Sequence, residues 1–514
     1  MGAPVRWSER PSAALWVVAF GTFVAADDLM VVATMLRPII GDLGLVVPDD
    51  LDDAAWIVNV YLIAYIAVMP IAGRLSDVFG RRAVFVASMA IFAVGSLVVP
   101  AADSLSVLLV GRALTAIGGG ALVPLGLAVV SDRYEGGRRL RALGLLGAIE
   151  TMGWVWGPLY GAILVRYLSW EWQFHLNIPL AILGIVVGWL VLDPARHEGD
   201  GIDWIGAGLL TVGLIALDVA LLDEARIQSV TGLDQLTGND DAGIVGPWLY
   251  AVAAIALAGF VYRERTAARP LLGLRSLMAG RRGTGVAVAL GVNLITGAAL
   301  VIALVDVPLF INVVEGDLER SAVIAGWTLT ALTAAMAVTS YLGGVITERT
   351  WYRPPIRVGL VVAAAGFVVM GQTWTPDTSP VSMAVLLLFV GAGIGLVIAP
   401  TSAAVVDAAV PSARGAAAGL VILFRLLGFS VGLAGLTAWG LRRFDELRAD
   451  LDLPALGEPG FEEALQEGQI QVTTEALAET FLASGVVLVV GLVLSGALRR
   501  HPAPEEPAQA SSTG

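Results

Sequence analysis

Long apolar stretches recur along the whole chain, and that recurrence limits its fold more than any single residue does. A helix that crosses a bilayer needs about 20 predominantly apolar residues. Fourteen such candidates can be drawn between residues 13 and 498: 13–36, 54–72, 83–101, 106–131, 142–167, 174–192, 204–222, 247–262, 284–313, 322–346, 356–372, 381–408, 416–440 and 476–498, the eighth being the shortest. Of the 514 residues 57% are hydrophobic and 15% charged, whereas soluble domains run at about 45–50% and about 25%. The predicted class is an all-α integral membrane protein.

Composition removes several kinds of chemistry. Without cysteine there is no disulfide framework, thiol catalysis, iron–sulfur cluster or cysteine-bound zinc. The three histidines, His175, His197 and His501, stand far apart, so no metal site is expected. A net charge of −13 speaks against nucleic acid. All 31 basic residues are arginine, which fits a GC-rich bacterial coding bias. The apolar run after Arg10 is too long for a signal-peptide core and has no small-residue cleavage site behind it.

The arginines also predict orientation, since basic residues are retained on the cytoplasmic side. With both termini inside, 22 arginines fall in cytoplasmic segments and seven at the outer side, while Arg112 and Arg425 stay within spans. The expected place is the inner membrane of a bacterial cell. Residues 1–12 form a cytoplasmic N-terminus and 499–514 a disordered tail. Segment 263–283, with "PLLGLRSL" between arginine clusters, is predicted to be an amphipathic helix at the interface. Segment 441–475 reads as outward extensions of the last two spans, joined near "LPALGEPG".

Between the second and third spans stands Gly73-Arg74-Leu75-Ser76-Asp77-Val78-Phe79-Gly80-Arg81-Arg82. Two glycines permit a tight reversal. The arginines hold the loop inside, and Asp77 can cap a helix N-terminus or meet an arginine. This decapeptide resembles the signature loop of the major facilitator superfamily, G-x-L-[SA]-D-x-x-G-R-[RK], at every constrained position. Gly153-x-x-x-Gly157-Pro158-x-x-Gly161 is similar to the superfamily's antiporter motif. Its glycines allow close helix approach and Pro158 loosens the backbone ladder. Arg112 followed by Gly118, Gly119 and Gly120 resembles the R-x-x-Q-G-x-G motif, with Thr115 in place of Gln and Ala116 in place of Gly.

Trp56 with Tyr61-Leu62, the stretch Trp170-Glu171-Trp172-Gln173-Phe174 with Asn177 and Pro179, and Asp203-Trp204-Ile205-Gly206 resemble the fourteen-helix drug:proton antiporter branch. Asp28 with Val31 and Thr34, "LVDVPLF" at 304–310, "GIGLVIAP" at 393–400, and Arg425 followed by "LTAWGLRRF" at 436–444 look closer in type to mycobacterial triacylglyceride exporters. The resemblance implies two pseudo-symmetric six-helix bundles, 13–193 and 284–498. Between them, 194–283 would hold a linker and two inserted spans. Gly343-Gly344-Val345-Ile346-Thr347-Glu348-Arg349, after the tenth span, reads as a decayed copy of the signature loop.

Charged residues deep in a span face a cavity or a partner, because each costs about 2.5–3.5 kcal/mol at the bilayer centre on insertion scales. Asp28, Glu150 and Arg425 are expected to form one switch across the bundles, with Arg425 pairing with either carboxylate and protonation loosening it. A permanent buried salt bridge is the alternative. Asp306 could line the outer cavity or cap its helix, and Asp218 and Asp407 are expected to be solvated near helix ends. Met152, Trp154 and Trp156 could face an acyl chain or pack internally. The expected function is proton-coupled export of a hydrophobic or amphipathic substrate, above all a lipid, with multidrug efflux as the alternative. The expected working state is a monomer with no cofactor beyond the proton gradient and a periplasmic or extracellular lipoprotein as acceptor. A membrane enzyme would need a cluster of His, Asp or Glu at one membrane face, which the sequence does not offer.

Overall fold

A computed structural model describes residues 11–44, 51–194, 201–237, 248–278, 280–315, 318–410, 413–451 and 461–498. Fourteen long helices carry the described fold. They are α1 (Pro11–Asp42), α2 (Leu51–Phe79), α3 (Arg81–Val98), α4 (Leu105–Arg133), α5 (Gly136–Tyr167), α6 (Glu171–Val191) and α7 (Trp204–Thr237), then α8 (Trp248–Thr266), α9 (Gly280–Glu315), α10 (Leu318–Thr350), α11 (Arg353–Thr373), α12 (Pro380–Val406), α13 (Arg414–Ala449) and α14 (Phe461–Ser495). Twelve contain a stretch long and apolar enough to cross a membrane. The other two are α5, with Arg138, Arg139, Arg141 and Glu150 along it, and α8, which ends in Arg263, Glu264 and Arg265.

Two expectations change. The amphipathic helix predicted over 263–283 reduces to one turn, Leu274–Leu277, because α8 runs on to Thr266 and Glu264 then ties the chain down. The Glu264 carboxylate accepts from the backbone N–H of Leu272 at 2.8 Å and of Leu274 at 3.1 Å. α7 continues to Thr237, well past the predicted end at 222. At the other end of the chain α13 reaches Ala449 and α14 starts at Phe461, while the turn predicted near "LPALGEPG" lies outside the described residues.

α1–α6 pack among themselves, as do α9–α14. The two groups meet mainly through α2 against α13 and α5 against α10. α7 and α8 form a hairpin whose α7 rests on α2 from one group and α13 from the other. Contacts in the first group recur at matching places in the second. Gly73 and Gly344 each sit against a carbonyl at the start of the facing helix: a Cβ would come 2.1 Å from the Gly415 oxygen and 2.3 Å from the Leu140 oxygen. Gly153 and Gly428 each press on the first helix of their own group, at Phe23 and Leu294. Small residues at such crossings let backbones touch, which is how helices associate where water supplies no drive.

Candidate functional site

The signature loop forms a latch. Both oxygens of Asp77 accept backbone N–H groups from the first turn of α13, Gly415 at 3.0 Å and Ala416 at 3.1 Å. That turn presents unpaired N–H groups and the positive end of the helix dipole, so it is a natural carboxylate seat. Arg81 closes the arrangement with an ion pair to Asp77 at 2.7 Å and another to Asp132 at 3.0 Å. Asp132 in turn meets Arg414 at 3.3 Å. Gly80, which caps α3 with φ +93°, holds a backbone conformation that favours glycine. Arg82 points away from the latch, lying over the Trp189 ring at 4.8 Å and donating to the Trp189 carbonyl.

A second latch faces the first. Arg139 pairs with Asp407, and Arg141 grips Glu348 through two hydrogen bonds of 2.6 and 2.8 Å. Arg139 and Arg414 hold equivalent places in the two halves, as do Asp132 and Asp407, so each bundle offers one arginine and one aspartate to the other. Glu348 occupies the place of Asp77 in the decayed copy. Asp407 is exposed just past the end of α12, as expected of a solvated helix-end residue, and it also accepts from the Tyr352 hydroxyl at 2.6 Å. Burial and the Asp407 charge hold that hydroxyl well above the usual tyrosine range, so it remains a donor.

Two ion pairs lie deeper. Arg425 Nη1 on α13 meets Glu150 Oε2 on α5 at 3.3 Å, with both residues buried. These two residues stand 275 positions apart in the chain. The same offset relates Arg139 to Arg414, Asp132 to Asp407 and Gly153 to Gly428, so the pair spans the pseudo-symmetry axis. Asp28 does not join them. It is bound inside the first bundle by Arg112 at 3.1 Å and by Asn177 Nδ2 at 2.9 Å, with Arg112 lying 4.2 Å over the Tyr61 ring. The single three-membered switch is therefore corrected to two separate pairs, since Arg112 supplies a nearer cation on α4. Thr115 hydrogen-bonds the Arg112 carbonyl at 2.9 Å. The equivalents of Asp28 and Arg112 in the second bundle are the buried Ala299 and Leu387, so this polar centre exists on one side of the axis.

A family model described as Major Facilitator Superfamily matches residues 18–433 and 307–514. The chain belongs to the major facilitator superfamily. Among its relatives, a triacylglyceride transporter of Mycolicibacterium smegmatis is 32% identical over 96% of this chain and 89% of its own length. Multidrug resistance protein 3 of Bacillus subtilis is 28% identical over 80% of this chain and 76% of its own. The human organic anion transporter MFSD10 (TETRAN) has the same fold, with a TM-score of 0.60 at 14% identity over 94% of this chain and 99% of that one. The protein is thus a multi-pass membrane transporter and not an enzyme.

In this superfamily member the antiporter-motif glycines make close helix contacts. A Cβ on Gly153 or Gly157 would strike α1 at 2.6–2.9 Å, and Gly428 and Gly432 repeat the contact on α9 at 2.1 and 2.5 Å. Gly161 is buried, and the Pro158 side chain lies outside the described residues. Trp154 is buried edge-on against Phe429 of the other bundle at 6.1 Å, whereas Met152 and Trp156 are each 53% exposed. Asp306 is buried and accepts from the Thr480 hydroxyl at 2.7 Å. Asp218, expected to be solvated, is 1% exposed and bonded to the Ser430 hydroxyl on α13, because α7 extends past it. Among the described residues no group of three or more metal-binding side chains occurs.

Sequence reading missed Asp132, Arg139, Arg141, Arg414 and Gly415 in the latches, and Asp27 beside Asp28. The offset of 275 that relates Asp132 to Asp407, Arg139 to Arg414 and Gly153 to Gly428 was the available signal for these latch residues; the decayed loop copy, whose Gly344 and Glu348 stand 271 positions after Gly73 and Asp77, does not give it.

Proposed function

We propose that the chain is a proton-coupled exporter of a hydrophobic or amphipathic substrate, a lipid of triacylglyceride or glycolipid type, working by alternating access. The observation that carries this reading is the Glu150–Arg425 pair. It joins the bundles at the level of the spans, both side chains are buried, and separating the bundles must break it. Protonating Glu150 removes the attraction and leaves Arg425 to reorganise, so a proton and a bundle movement compete for one carboxylate. The latches support an arrangement closed at the arginine-rich end, which the positive-inside rule makes cytoplasmic. The bundles then open toward the outside.

The names of the mycobacterial relatives support a lipid, and so does the exposed apolar face of Met152 and Trp156 on α5. The long outward parts of α13 and α14 suit delivery toward an acceptor lipoprotein. All fourteen long helices cross the inner membrane in this reading, α5 and α8 included. Both termini are cytoplasmic, and one chain suffices. The Bacillus subtilis relative favours a second reading, multidrug efflux.

Reconstitution tests the proposal. A fluorescent triacylglyceride analogue should move across vesicles containing the protein when an acid gradient is imposed, and Glu150→Gln should remove the dependence. Transport indifferent to the gradient overturns the coupling. Shortening 441–475 should stop lipid delivery, while a drug pump would tolerate it.

A further inference from the structure

Asp27 and Asp28 are adjacent on α1 and both buried, yet their surroundings differ. Asp28 has a guanidinium at 3.1 Å and an amide at 2.9 Å. Asp27 has a single donor, Gln173 Nε2 on α6, at 3.0 Å to its Oδ2. Its Oδ1 has no partner, and neither has Oε1 of Gln173. Asp27 is 7% exposed and Gln173 1%, so water does not readily serve these atoms. The orientation of the Gln173 amide is set, because its Nε2 also faces Asn177 Oδ1 at 3.5 Å.

Two buried acceptors on one acid–amide pair make a specific defect. Both oxygen atoms present a lone pair and neither carries a hydrogen, the Gln173 N–H donors being turned toward Asp27 Oδ2 and Asn177 Oδ1. A single proton on Asp27 changes this, since the acid O–H becomes the missing donor of the pair and the Gln173 oxygen the acceptor it lacks. The charge count agrees. One guanidinium faces two neighbouring carboxylates, and it is committed to Asp28. Ionised Asp27 would be an unpaired charge in an apolar span, whereas protonated Asp27 leaves the centre neutral.

We infer that a second proton site, beside Glu150 at the bundle junction, lies inside the first bundle on Asp27 and not on Asp28, with Gln173 as the amide that holds the neutral acid. The step is a bare proton transfer from the aqueous phase to a carboxylate oxygen, with no change of oxidation state. The titratable and charged groups around Asp27 are Asp28 on its own helix, Arg112 on α4, Tyr160 on α5 and Tyr61 on α2. α6 contributes the amides Gln173 and Asn177. The backbone carbonyl of Asp27 also lies against Gly157, where a Cβ would come to 2.9 Å, so the proton site is seated on the antiporter-motif contact. Movement of α5 against α1 would therefore reach Asp27 directly.

This inference rests on the proton-coupled reading above, and its test separates the two. In purified full-length protein at neutral pH, the infrared carbonyl band of protonated carboxyls should lose one component in Asp27→Asn. That component should survive in Asp218→Asn and Asp306→Asn, and shift to higher frequency in Gln173→Leu, where the hydrogen bond is gone. A band unchanged in Asp27→Asn, or unmoved in Gln173→Leu, overturns the assignment. In vesicles, gradient-driven movement of the fluorescent triacylglyceride should fall at least tenfold in Asp27→Asn, while exchange without a gradient stays within twofold of the parent. Parent coupled and Asp27→Asn equally coupled refutes the inference alone. A parent indifferent to the gradient refutes the coupling and leaves the infrared result to judge Asp27.

Discussion

Gly73→Ala should spring the first latch. The added Cβ would sit 2.1 Å from the Gly415 carbonyl oxygen, a backbone atom that cannot swing aside. Ordinary contact begins at 3.4 Å, so α2 and the start of α13 must part by the difference between those two distances. A displacement of that size along the Asp77 hydrogen bonds, now 3.0 and 3.1 Å, carries both out of bonding range. Hydrogen bonds to a charged group contribute about 1.5–3 kcal/mol each. Losing two is worth about 3–6 kcal/mol, or about two to four decades in the ratio of latched to unlatched molecules at about 1.4 kcal/mol per decade. The cysteine-free sequence makes the assay clean. Spin labels at Phe79→Cys and Val410→Cys, both exposed and on opposite bundles, should show a longer distance distribution in Gly73→Ala than in the parent. Gly208→Ala on α7, where a Cβ meets nothing within 4 Å, is the control and should change nothing. An unaltered distribution in Gly73→Ala, or an equal shift in the control, refutes the latch.

The other predictions concern the pairs and the packing. Glu150→Leu or Arg425→Leu alone should lower thermal stability by about 3–5 kcal/mol by leaving one buried charge unpaired, and the double substitution should recover most of it without restoring gradient-driven transport; thermal melts in detergent decide. Gly428→Ala should be as damaging as Gly153→Ala, about 1–3 kcal/mol each from overpacking, because the two glycines make the same contact in the two bundles. A tolerated Gly428→Ala would mean the motif does more than pack. Tyr352→Phe should remove about 1 kcal/mol at neutral pH. The raised Tyr352 value makes that contribution present below the ordinary tyrosine range and lost as pH rises through the folded value, so the parent and the variant should converge in alkaline melts.

The spans were legible because burial in lipid demands long uninterrupted apolar runs, and the latch loop because its glycines and charges have fixed spacing. Helix ends were harder. α7 outruns its apolar stretch, so Asp218 lies within the helix and not at the water boundary. Pairings between charges were hardest, because hydropathy says that a charge needs a partner and not which one. Arg112 took Asp28 from Arg425 by lying on the adjoining helix of the same bundle. Arg139, Asp132, Arg414 and Asp407 look like ordinary loop charges until the two halves are aligned, when each arginine acquires an aspartate across the axis. Asp27 and Asp28 are neighbours in sequence but about 100° apart around the helix, which sends one toward α6 and the other toward α4.

α7 lies on α2 and α13 together, and its Asp218 carboxylate accepts from the Ser430 hydroxyl of α13. Under the proposed rocking motion, α7 therefore bears on both bundles at once. If the Ser430 bond carries the hairpin along with the second bundle, α7 has to glide over α2, the helix that ends in the latch. A lipid wedged beneath α7 would then damp the proposed opening stroke without touching either ion pair.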